Sequence, residues 1–459
     1  MKPTSIQVGT LLLTAVCVLS APLLMAEQST GWRTDGTGCY PQADPPIAWS
    51  LEKNVVWSAP MPSWSNATPV IVGSRIFITS EPSTLLCVNL DDGKILWQKT
   101  NSTQDLSPSE ATKAKEDTAK AGEITKLLRP IQKELKDLKA QKPGDDAELK
   151  KKVDSLTKQV SEMNATLAAL KYRTALTHGS NGYAASTPVS DGRNVFAVFG
   201  SGIVACYDIE GNRQWISMLE IPVHEQGWGH SASPVLAGDK LLVHIIDFVA
   251  LNIKNGEVLW RTPSVPHWGT SVLTQIGAVD VVITPGGDIV RISDGKKLAK
   301  QMSNLDFCAP IVHDGIVYFI EPGGKALKLP ATAEETVVPA VLWTTKPAKD
   351  RYYASPIFTD GLLYAITRAN VFSVIDAGTG GVVYEKKLEL GGGTVYPSIT
   401  LAGKNIFVSS DNGTTLVLEP GREYKEVGKN TLEGFRSTPV FLGKRMYIRG
   451  LKKLYCIGS

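Results

Sequence analysis

The fold of this chain is set by a short motif, Ser231-Ala-Ser-Pro-Val-Leu-Ala-Gly238, which recurs along the sequence. In each copy a small polar residue and a proline precede apolar residues, and a glycine turn follows. Clear copies are Ser65-Asn-Ala-Thr-Pro-Val-Ile-Val-Gly73, Ala354-Ser-Pro-Ile-Phe-Thr-Asp-Gly361 and Ser437-Thr-Pro-Val-Phe-Leu-Gly443. The proline position, taken by Ser271 in a degenerate copy, falls at residues 69, 188, 234, 271, 310, 356, 397 and 439, at intervals of 119, 46, 37, 39, 46, 41 and 42. A period of about 40 residues with short strands is typical of β-propeller blades, and the longest interval predicts one insertion.

The two ends of the chain each carry part of one blade. Asn54-Val-Val-Trp-Ser58 resembles the fourth strand of a blade but precedes the first motif, whereas the last repeat stops at Tyr455-Cys-Ile-Gly458 without a fourth strand. Pairing of these two segments would close the ring and remove the open edges of the array. We therefore predict an all-β, eight-bladed β-propeller that folds as a monomeric ring.

A large aromatic residue begins the fourth strand of several repeats, where its ring can pack over the neighbouring blade. We interpret the following residues as structural docking aromatics: Trp97, Trp215, Trp260, Trp343 and Tyr384. One position of the third strand is Cys in some repeats, as in Cys87, Cys206 and Cys456, and Ala or Val in others. These cysteines are expected to be small buried fillers rather than disulfide partners.

The 119-residue interval contains a segment rich in Lys, Glu, Ala and Leu. Its apolar residues from Ile124 to Leu138 and from Leu149 to Leu170 alternate in spacing between 4 and 3, as in helices that pair along one seam. The pattern predicts an antiparallel coiled-coil hairpin within residues 105–175, with Pro130 kinking or interrupting the first arm and Asp145 capping the second. The hairpin is either a decoration of the fold or an arm that docks a partner.

Residues 1–26 have the form of a cleaved signal peptide, with an apolar run from Leu11 to Leu24, so the mature protein is expected to be periplasmic or secreted. An uncleaved membrane anchor is the alternative, and no other segment is long and apolar enough for a transmembrane span. Residues 27–104 then hold an irregular lead-in, the ring-closing strand and blade 1, and residues 176–459 hold blades 2–8. A net charge of +3, with both signs spread along the chain, argues against a nucleic-acid partner.

The loops that lead into the first strands of a propeller converge on the mouth of its central channel. From their aromatic, basic and amide side chains we predict a ligand-binding site formed by Trp64, Asn66, Tyr183, Trp228, His230, His267, Trp268, Phe307, Arg351, Tyr353, Tyr396 and Arg436. Such a set suits a flat polar ligand, a sugar or a peptide segment, and the alternative is that the rings pack onto blade interfaces. We expect Trp228, His230, Tyr353 and Arg436 to face one funnel. His224 and His230 lack the spacing of a zinc-binding helix, so no metal site is predicted.

The unit of a turn followed by an aromatic residue, as in Leu90-Asp-Asp-Gly-Lys-Ile-Leu-Trp97, resembles the tryptophan-docking repeat of quinoprotein propellers. The chain is similar to the pyrroloquinoline-quinone-like repeat superfamily. One group of that superfamily contains quinone-dependent alcohol and glucose dehydrogenases. Resemblance to them implies a ring of adjacent cysteines, a calcium ion held by carboxylate and amide oxygens, and a carboxylate base, none of which falls on a matching motif here. The other group is the outer-membrane assembly lipoprotein scaffold family, whose members are non-enzymatic.

Together these features predict an exported, non-enzymatic scaffold or binding module. It would engage protein partners of the cell envelope, or a ligand, through the channel-mouth loops, the blade edges or the helical hairpin. No catalytic residue and no cofactor is predicted for this role. The alternative is a quinone- or metal-dependent oxidoreductase of the quinoprotein type, for which pyrroloquinoline quinone (PQQ) with calcium would be the cofactor.

Overall fold

Eight β-sheets follow one another around a central channel. The computed structural model of the protein describes residues 30–141, 146–221 and 227–458, so the predicted signal peptide and His224 lie outside the described residues. Each blade has four antiparallel strands, the sheet of blade 7 carries a fifth strand from the lead-in, and the first strands of successive blades lie side by side along the channel. The fold is thus the eight-bladed propeller that the repeat predicts, with two helices inserted between blades 1 and 2.

Two short strands precede the regular blades: β1 (Cys39–Tyr40) and β2 (Val55–Pro60). Blade 1 contains β3 (Val70–Val72), β4 (Arg75–Ser80), β5 (Thr84–Asn89) and β6 (Ile95–Thr100), and blade 2 contains β7 (Val189–Ser190), β8 (Asn194–Val198), β9 (Ile203–Asp208) and β10 (Arg213–Met218). Blade 3 contains β11 (Val235–Ala237), β12 (Lys240–His244), β13 (Phe248–Asn252) and β14 (Val258–Thr262), and blade 4 contains β15 (Val272–Ile276), β16 (Val279–Ile283), β17 (Ile289–Arg291) and β18 (Lys297–Ala299).

The second half of the ring repeats this order. Blade 5 contains β19 (Ile311–His313), β20 (Ile316–Phe319), β21 (Lys325–Lys328) and β22 (Ala340–Thr344), and blade 6 contains β23 (Ile357–Thr359), β24 (Leu362–Ile366), β25 (Val371–Asp376) and β26 (Val382–Lys387). Blade 7 contains β27 (Thr400–Ala402), β28 (Asn405–Ser409), β29 (Thr414–Leu418) and β30 (Glu426–Thr431). Blade 8 contains β31 (Val440–Leu442), β32 (Arg445–Arg449) and β33 (Lys453–Ile457), with β2 as its fourth strand.

The N-terminal strand closes the ring, as the sequence predicts. Strand β2 pairs antiparallel with β33, from Val55 opposite Ile457 to Pro60 opposite Lys453. The first and last blades are therefore joined by a ladder of backbone hydrogen bonds rather than by side-chain packing alone. Closure of this kind satisfies the N–H and C=O groups that an open array would leave exposed at its ends.

Tryptophan side chains of the fourth strands join blades 8, 1, 2, 3 and 5 each to the next blade. Their indole N–H groups donate hydrogen bonds of 2.8–3.2 Å to carbonyl oxygens that follow the third strand of the neighbouring blade. The donor and acceptor pairs are Trp57 with Leu90, Trp97 with Ile209, Trp215 with Ile253, Trp260 with Ile292, and Trp343 with Ala377. Trp57 of the ring-closing strand thus joins the set expected from the sequence. The equivalent position is Tyr384 in blade 6, Ala299 in blade 4 and Gly428 in blade 7.

The residue that faces each of these tryptophans across the blade is small. Cys87 pairs with Trp97, Ala250 with Trp260, and Cys456 with Trp57, each beside a β-bulge. A larger side chain would push the indole off the next blade, because interiors are close-packed. Burial raises the pKa of the Cys87 thiol to about 12 and that of Cys456 to about 11. All five described cysteines are free, so the prediction of small buried fillers is confirmed.

The seventh repeat corrects the alignment drawn from the sequence. Pro397 was expected to mark the start of its first strand, but β27 begins at Thr400, immediately after Ile399. In the other repeats the first strand begins directly after the marker residue, as Val235 follows Pro234. Ile399 is therefore the true equivalent, two residues beyond Pro397. The start of the first strand in this repeat is defined by Ser398, whose hydroxyl and backbone N–H bond the neighbouring blades, rather than by a proline.

The insertion is a pair of antiparallel helices, α1 (Pro108–Ala140) and α2 (Ala147–Ala168). Helix α1 has 33 residues and is about 50 Å long. It continues through Pro130, so the proline does not interrupt the helix. Asp146, not Asp145, caps α2 and accepts hydrogen bonds from the N–H groups of Glu148 and Leu149. Asp145 lies outside the described residues.

The base of the hairpin is bound tightly to blade 2. Leu106, Tyr172 and Ala175 pack in one buried cluster with Met218 of β10. Buried Asp117 accepts a hydrogen bond from the Tyr172 backbone N–H and lies 3.0 Å from Lys113 Nζ. No helix in the described part of the chain is long and apolar enough to span a membrane.

The lead-in is ordered and crosses the far end of the channel. We call residues 30–49 the strap. Thr30 bridges to Ser190 of blade 2, β1 pairs in parallel with Leu401–Ala402 of blade 7, and the Asp44 N–H donates to the Gly443 carbonyl of blade 8. Most of the strap has no regular secondary structure, as expected of an irregular lead-in, and its short strand β1 adds a fifth strand to blade 7.

The tryptophan docking gives a test that separates packing from backbone strain. Gly256 and Gly361 have left-handed φ values of +73° and +72°, but only at Gly256 would a Cβ atom meet an indole, at 2.5 Å from Cε3 of Trp215. Gly361→Ala should cost about 1–2 kcal/mol from backbone strain. Gly256→Ala should cost at least about 2 kcal/mol more, since the next blade must shift. The free energies of unfolding from urea titrations measure both, and equal losses would contradict the docking role.

Candidate functional site

A ring of hydroxyl groups surrounds the channel where the first strands begin. In seven of the eight blades the residue before the strand marker is Ser or Thr, and its oxygen accepts a hydrogen bond from the backbone N–H of the same position in the preceding blade. The donor and acceptor pairs are Thr68 and Thr187, Thr187 and Ser233, Ser233 and Thr270, Ala309 and Ser355, Ser355 and Ser398, Ser398 and Thr438, and Thr438 and Thr68, at 2.9–3.3 Å. Ala309 takes this position in blade 5 and has no hydroxyl to offer Thr270. We call these seven hydroxyl groups the hydroxyl ring.

The residues two positions before the hydroxyl ring form the wall above it. Because the ring fixes the backbone, the same sequence offset reaches the channel mouth in every blade. The wall residues of blades 1–8, in order, are Asn66, Ala185, Ser231, Trp268, Phe307, Tyr353, Tyr396 and Arg436. Blades 4–7 thus supply four consecutive aromatic rings, while blades 8 and 1–3 supply small or polar side chains. The wall is divided into an aromatic half and a polar half.

The four rings of blades 4–7 contact one another in an unbroken arc. Trp268 stacks on Phe307 with ring centroids 5.0 Å apart, Phe307 meets Tyr353 edge to face at 4.8 Å, and Tyr353 stacks on Tyr396 at 5.2 Å. The Arg436 guanidinium lies over the Tyr396 ring, 5.7 Å from its centroid, and closes the arc. Such contacts are favourable beyond the area they bury. We call these four rings the aromatic arc.

The polar half is built by side chains that lock neighbouring loops together. The Asn66 amide donates to the Ser180 carbonyl at 2.8 Å, and Arg436 Nη1 donates to the same carbonyl at 3.0 Å. The Asn181 amide donates to the backbone carbonyls of Trp228 and His230. Trp228 itself contacts the His178 ring at a tilt of 35°, with ring centroids 4.1 Å apart, and remains 41% exposed at the rim. These bonds hold the loop between the hairpin and blade 2 against the channel mouth.

The two halves enclose a cavity of about 440 Å³, which we call the cup. Its wall carries the aromatic arc and Arg436, its rim carries Trp228 and Arg351, and its floor is the hydroxyl ring with Trp32 of the strap. Trp32 also borders a second cavity of about 620 Å³ at the other end of the channel. Because this indole stands between the two cavities, the strap closes the cup from below.

Arg33 of the strap lies directly beneath the hydroxyl ring. Its guanidinium donates to the carbonyl oxygens of Pro356 and Ile399, the residues that follow Ser355 and Ser398 of the ring. The side chain is 2% exposed, and burial lowers the pKa of Arg33 to about 10, although it stays protonated at neutral pH. No carboxylate in the described residues pairs with it within salt-bridge distance. A buried positive charge thus lies beneath the floor of the cup, behind the residues that line it.

Eight of the twelve predicted mouth residues line the cup: Asn66, Trp228, Trp268, Phe307, Arg351, Tyr353, Tyr396 and Arg436. The other four lie elsewhere. Trp64 packs beside Gly182, and the Tyr183 hydroxyl donates to the Ala175 carbonyl at the hairpin base. His230 and His267 are buried, and His267 Nδ1 lies 3.4 Å from Asp306 Oδ1.

The expected funnel therefore needs one correction. Trp228, Tyr353 and Arg436 all line the cup, but His230 does not. His230 lies one residue before the wall position Ser231, in the loop that leads into β11, and its side chain is fully buried instead of lining the cup. Trp32, Arg33 and the hydroxyl ring were not predicted as site residues. The recurrent Ser or Thr before each marker was visible in the sequence, whereas the strap residues occur once and carry no periodic signal.

Comparison with known proteins identifies the family. A family model described as outer membrane protein assembly factor BamB matches residues 47–129 and 152–306, more than half of the chain. The chain belongs to this family. No curated protein sequence matches the chain significantly.

Solved structures share the fold of this BamB-family chain at low sequence identity. BamB from Moraxella catarrhalis is 12% identical, and the match covers 88% of this chain and 99% of that one with a TM-score of 0.56. Quinohemoprotein alcohol dehydrogenase ADHIIG from Pseudomonas putida HK5 is 11% identical over 91% of this chain and 78% of that one, with a TM-score of 0.52. A europium-containing methanol dehydrogenase is 14% identical over 87% and 85%, also with a TM-score of 0.52. At these identities the likeness shows the fold alone.

The cup does not offer the ligand set that a quinone with calcium would require. Asp306 is the one carboxylate of the described residues that lines it, and its side chain is largely exposed at the rim. No group of three or more His, Cys, Asp or Glu side chains in the described residues is arranged to hold a metal ion. Cys308 is buried and has no adjacent cysteine partner. The residues present therefore do not fit the group that the resemblance to dehydrogenases implies.

The role of Arg33 in holding the strap in place can be tested through its close contact with Gly38. Gly38 lies against the Arg33 guanidinium, so a Cβ atom at this position would collide with it, whereas nothing lies within 4 Å of a Cβ atom at Gly36. Gly38→Ala should displace Arg33 from its two carbonyl partners and open the floor of the cup. Amide hydrogen exchange over residues 31–40 should accelerate at least about tenfold, the loss expected for charge-assisted bonds.

Gly36→Ala is the matched control, because Gly36 also has a left-handed φ, +86°. It should change exchange little beyond its own turn. Equal acceleration in both variants would mean that Arg33 does not pin the strap.

Proposed function

We propose that this chain is an exported, non-enzymatic scaffold of the cell envelope that binds a protein partner through the cup. Family membership supports a scaffold role, because the family description is that of an assembly factor for outer membrane proteins. The predicted signal peptide supports a periplasmic or secreted location. The proposed role requires no cofactor and no catalytic residue.

The division of the wall into an aromatic and a polar half is the observation that carries this proposal. Apolar surface beside a few fixed donors is the usual composition of a site that binds a peptide or another amphipathic ligand. Trp228 and Tyr396 remain 41% and 40% exposed on opposite sides of the cup, although both are large aromatic residues. Aromatic and arginine side chains of this kind are the residues that most often dominate binding energy at protein interfaces.

The site is also held ready before any partner arrives. The hydroxyl ring fixes the backbone below the wall, and the Asn66 and Asn181 amides fix the loops above it. Rings that already contact one another lose little conformational freedom on binding. Preorganisation of this kind raises affinity because less ordering has to occur in the complex.

The hairpin offers less for partner binding than the cup does. Among the described residues of α1 and α2, Leu127 is the one large apolar side chain that is mostly exposed, at 63%. The remaining outward surface is polar and carries charges of both signs, such as the ion pair between Lys152 and Glu134. Exposed ion pairs contribute little binding energy. We therefore assign the principal partner site to the cup and not to the hairpin.

Affinity capture from envelope extract tests the proposal with three variants of the exported protein. Trp228→Ala/Tyr396→Ala removes both exposed rings of the cup and should reduce partner recovery at least about tenfold, as for truncation of interface anchors. In a second variant a short glycine-serine linker replaces residues 125–161. The pair Glu134–Lys152 sets the helix register, so this cut shortens the hairpin and leaves its base intact. It should retain the partner.

Leu259→Ala/Val341→Ala is the control, because both side chains are exposed on outer strands far along the blades from the channel. It should also retain the partner, with all variants giving unchanged circular dichroism. Full recovery with the cup variant, or loss with the shortened hairpin alone, would contradict the proposal.

For the quinoprotein alternative, reconstitution with PQQ and calcium should give a quinone absorption band and dye-linked alcohol oxidation, neither of which the scaffold role produces.

A further inference from the structure

The hydroxyl ring presents hydrogen-bond donors to the channel axis. Each of its seven oxygens accepts a backbone N–H, and within the described chain none of these hydroxyls donates to a protein group. A Ser or Thr hydroxyl has one proton to donate. All seven residues border the cup and are more than nine-tenths buried. Seven buried O–H groups therefore converge on one space.

These hydroxyls are stronger donors than isolated ones. An O–H group whose oxygen already accepts a hydrogen bond is polarised, because hydrogen bonds in a chain reinforce one another. Six of the seven residues also donate their own backbone N–H to the next hydroxyl, and Thr270, which faces Ala309, is the exception. The hydroxyls are therefore polarised in the same direction around the ring up to that position. The floor of the cup is thus positive in character without carrying a formal charge.

Two formal charges reinforce this field from above and below. Arg33 lies beneath the ring and donates to the carbonyls of the residues that follow Ser355 and Ser398. Its Nε has no hydrogen-bond partner in the described chain. Arg436 lies at the wall, and its Nε is likewise buried without a hydrogen bond. The nearest acid to Arg436 is Asp411, 4.0 Å from Nε and outside the cup lining. Asp306, the carboxylate on the cup, lies at the rim.

The shape of the cup adds a second restriction on the ligand. Trp32 of the strap borders both cavities, so a polypeptide that enters along the channel axis meets this indole at the floor of the cup. A chain end brings a carboxylate to the donors of the floor and places its last side chains beside the aromatic arc. Donor groups that converge on one point are the usual means of capturing a terminal carboxylate.

We infer that the cup binds the free C-terminal carboxylate of an extended polypeptide, with the hydroxyl ring and Arg436 around the anion, the Arg33 charge beneath the ring, and the aromatic arc against the preceding side chains. This inference rests on the proposed function, since it specifies the chemistry of the partner that the cup takes.

Equilibrium dialysis of the exported full-length protein tests the inference directly. The probes are two pools of N-acetylated tripeptides with alanine, serine, leucine or phenylalanine at each position, one pool ending in a free carboxylate and the other in an amide. Mass spectrometry should show the free-acid pool retained about tenfold more than the amide pool, the ratio expected for losing one charge-assisted interaction. Arg436→Gln and Arg33→Gln should each reduce retention of the free-acid pool by a similar factor.

Arg445→Gln is the matched control, because Arg445 belongs to the same blade as Arg436 but pairs with Asp91 away from the cup. It should leave retention unchanged. An amidated tripeptide with glutamate in the middle distinguishes a chain end from an acidic side chain, and binding equal to that of the free acid would overturn end capture. Equal retention of the acid and amide pools would overturn the inference altogether. The proposed scaffold function would still stand in that case if Trp228→Ala/Tyr396→Ala loses its protein partner.

Discussion

The backbone N–H that donates to a hydroxyl of the next blade is the contact on which the rest of this structure depends. It joins the blades at the smallest radius of the ring, where a small displacement would alter every wall position. Each such bond contributes about 1 kcal/mol, and removing the acceptor leaves a buried N–H group whose desolvation costs about 1–3 kcal/mol. The indole-to-carbonyl bonds do the same at a larger radius, between the outer strands and the next blade. Together the two sets fix both the spacing and the tilt of the blades.

On this regular frame, specificity comes from differences among equivalent positions. The wall position is occupied by an aromatic residue in four consecutive blades and by Asn66, Ala185, Ser231 or Arg436 in the other four. Backbone symmetry therefore produces an asymmetric site. The strap makes a second departure from symmetry, because Trp32 and Arg33 close one end of a channel that the blades alone would leave open. One regular frame can in this way carry sites of different chemistry.

The sequence predicted those features that are repeated, because each copy supports the interpretation of the others. The blade count, the closure by Val55–Pro60 and the docking tryptophans all belong to this class. Pro397 misled the alignment because proline is only tolerated at the strand start, whereas the hydroxyl of Ser398 makes the bonds that define the position. Arg33 could not be predicted, since its partners Pro356 and Ile399 lie more than 300 residues away and no local pattern marks such a contact.

Most of the cup was within reach of sequence reasoning, but its boundary was not. The wall residues share one offset from the hydroxyl ring, so aligning the repeats on Ser or Thr instead of proline selects them. His230, His267 and Tyr183 lie within a few residues of that offset, and their inward packing depends on the direction of each side chain along the loop. Distance along the chain does not give that direction.

The boundary between blades 4 and 5 differs from its seven counterparts. Ala309 provides no hydroxyl there, and Ala299 stands where five other blades carry a docking indole, so both kinds of hydrogen bond are missing from this one joint in the described chain. Apolar packing holds this boundary instead, because Trp268 stacks on Phe307 across it and one buried cluster runs from Ile276 of blade 4 to Val317 of blade 5. Hydrophobic contacts have no fixed direction, so this is the joint at which the angle between neighbouring blades can change with the least loss of side-chain hydrogen bonding.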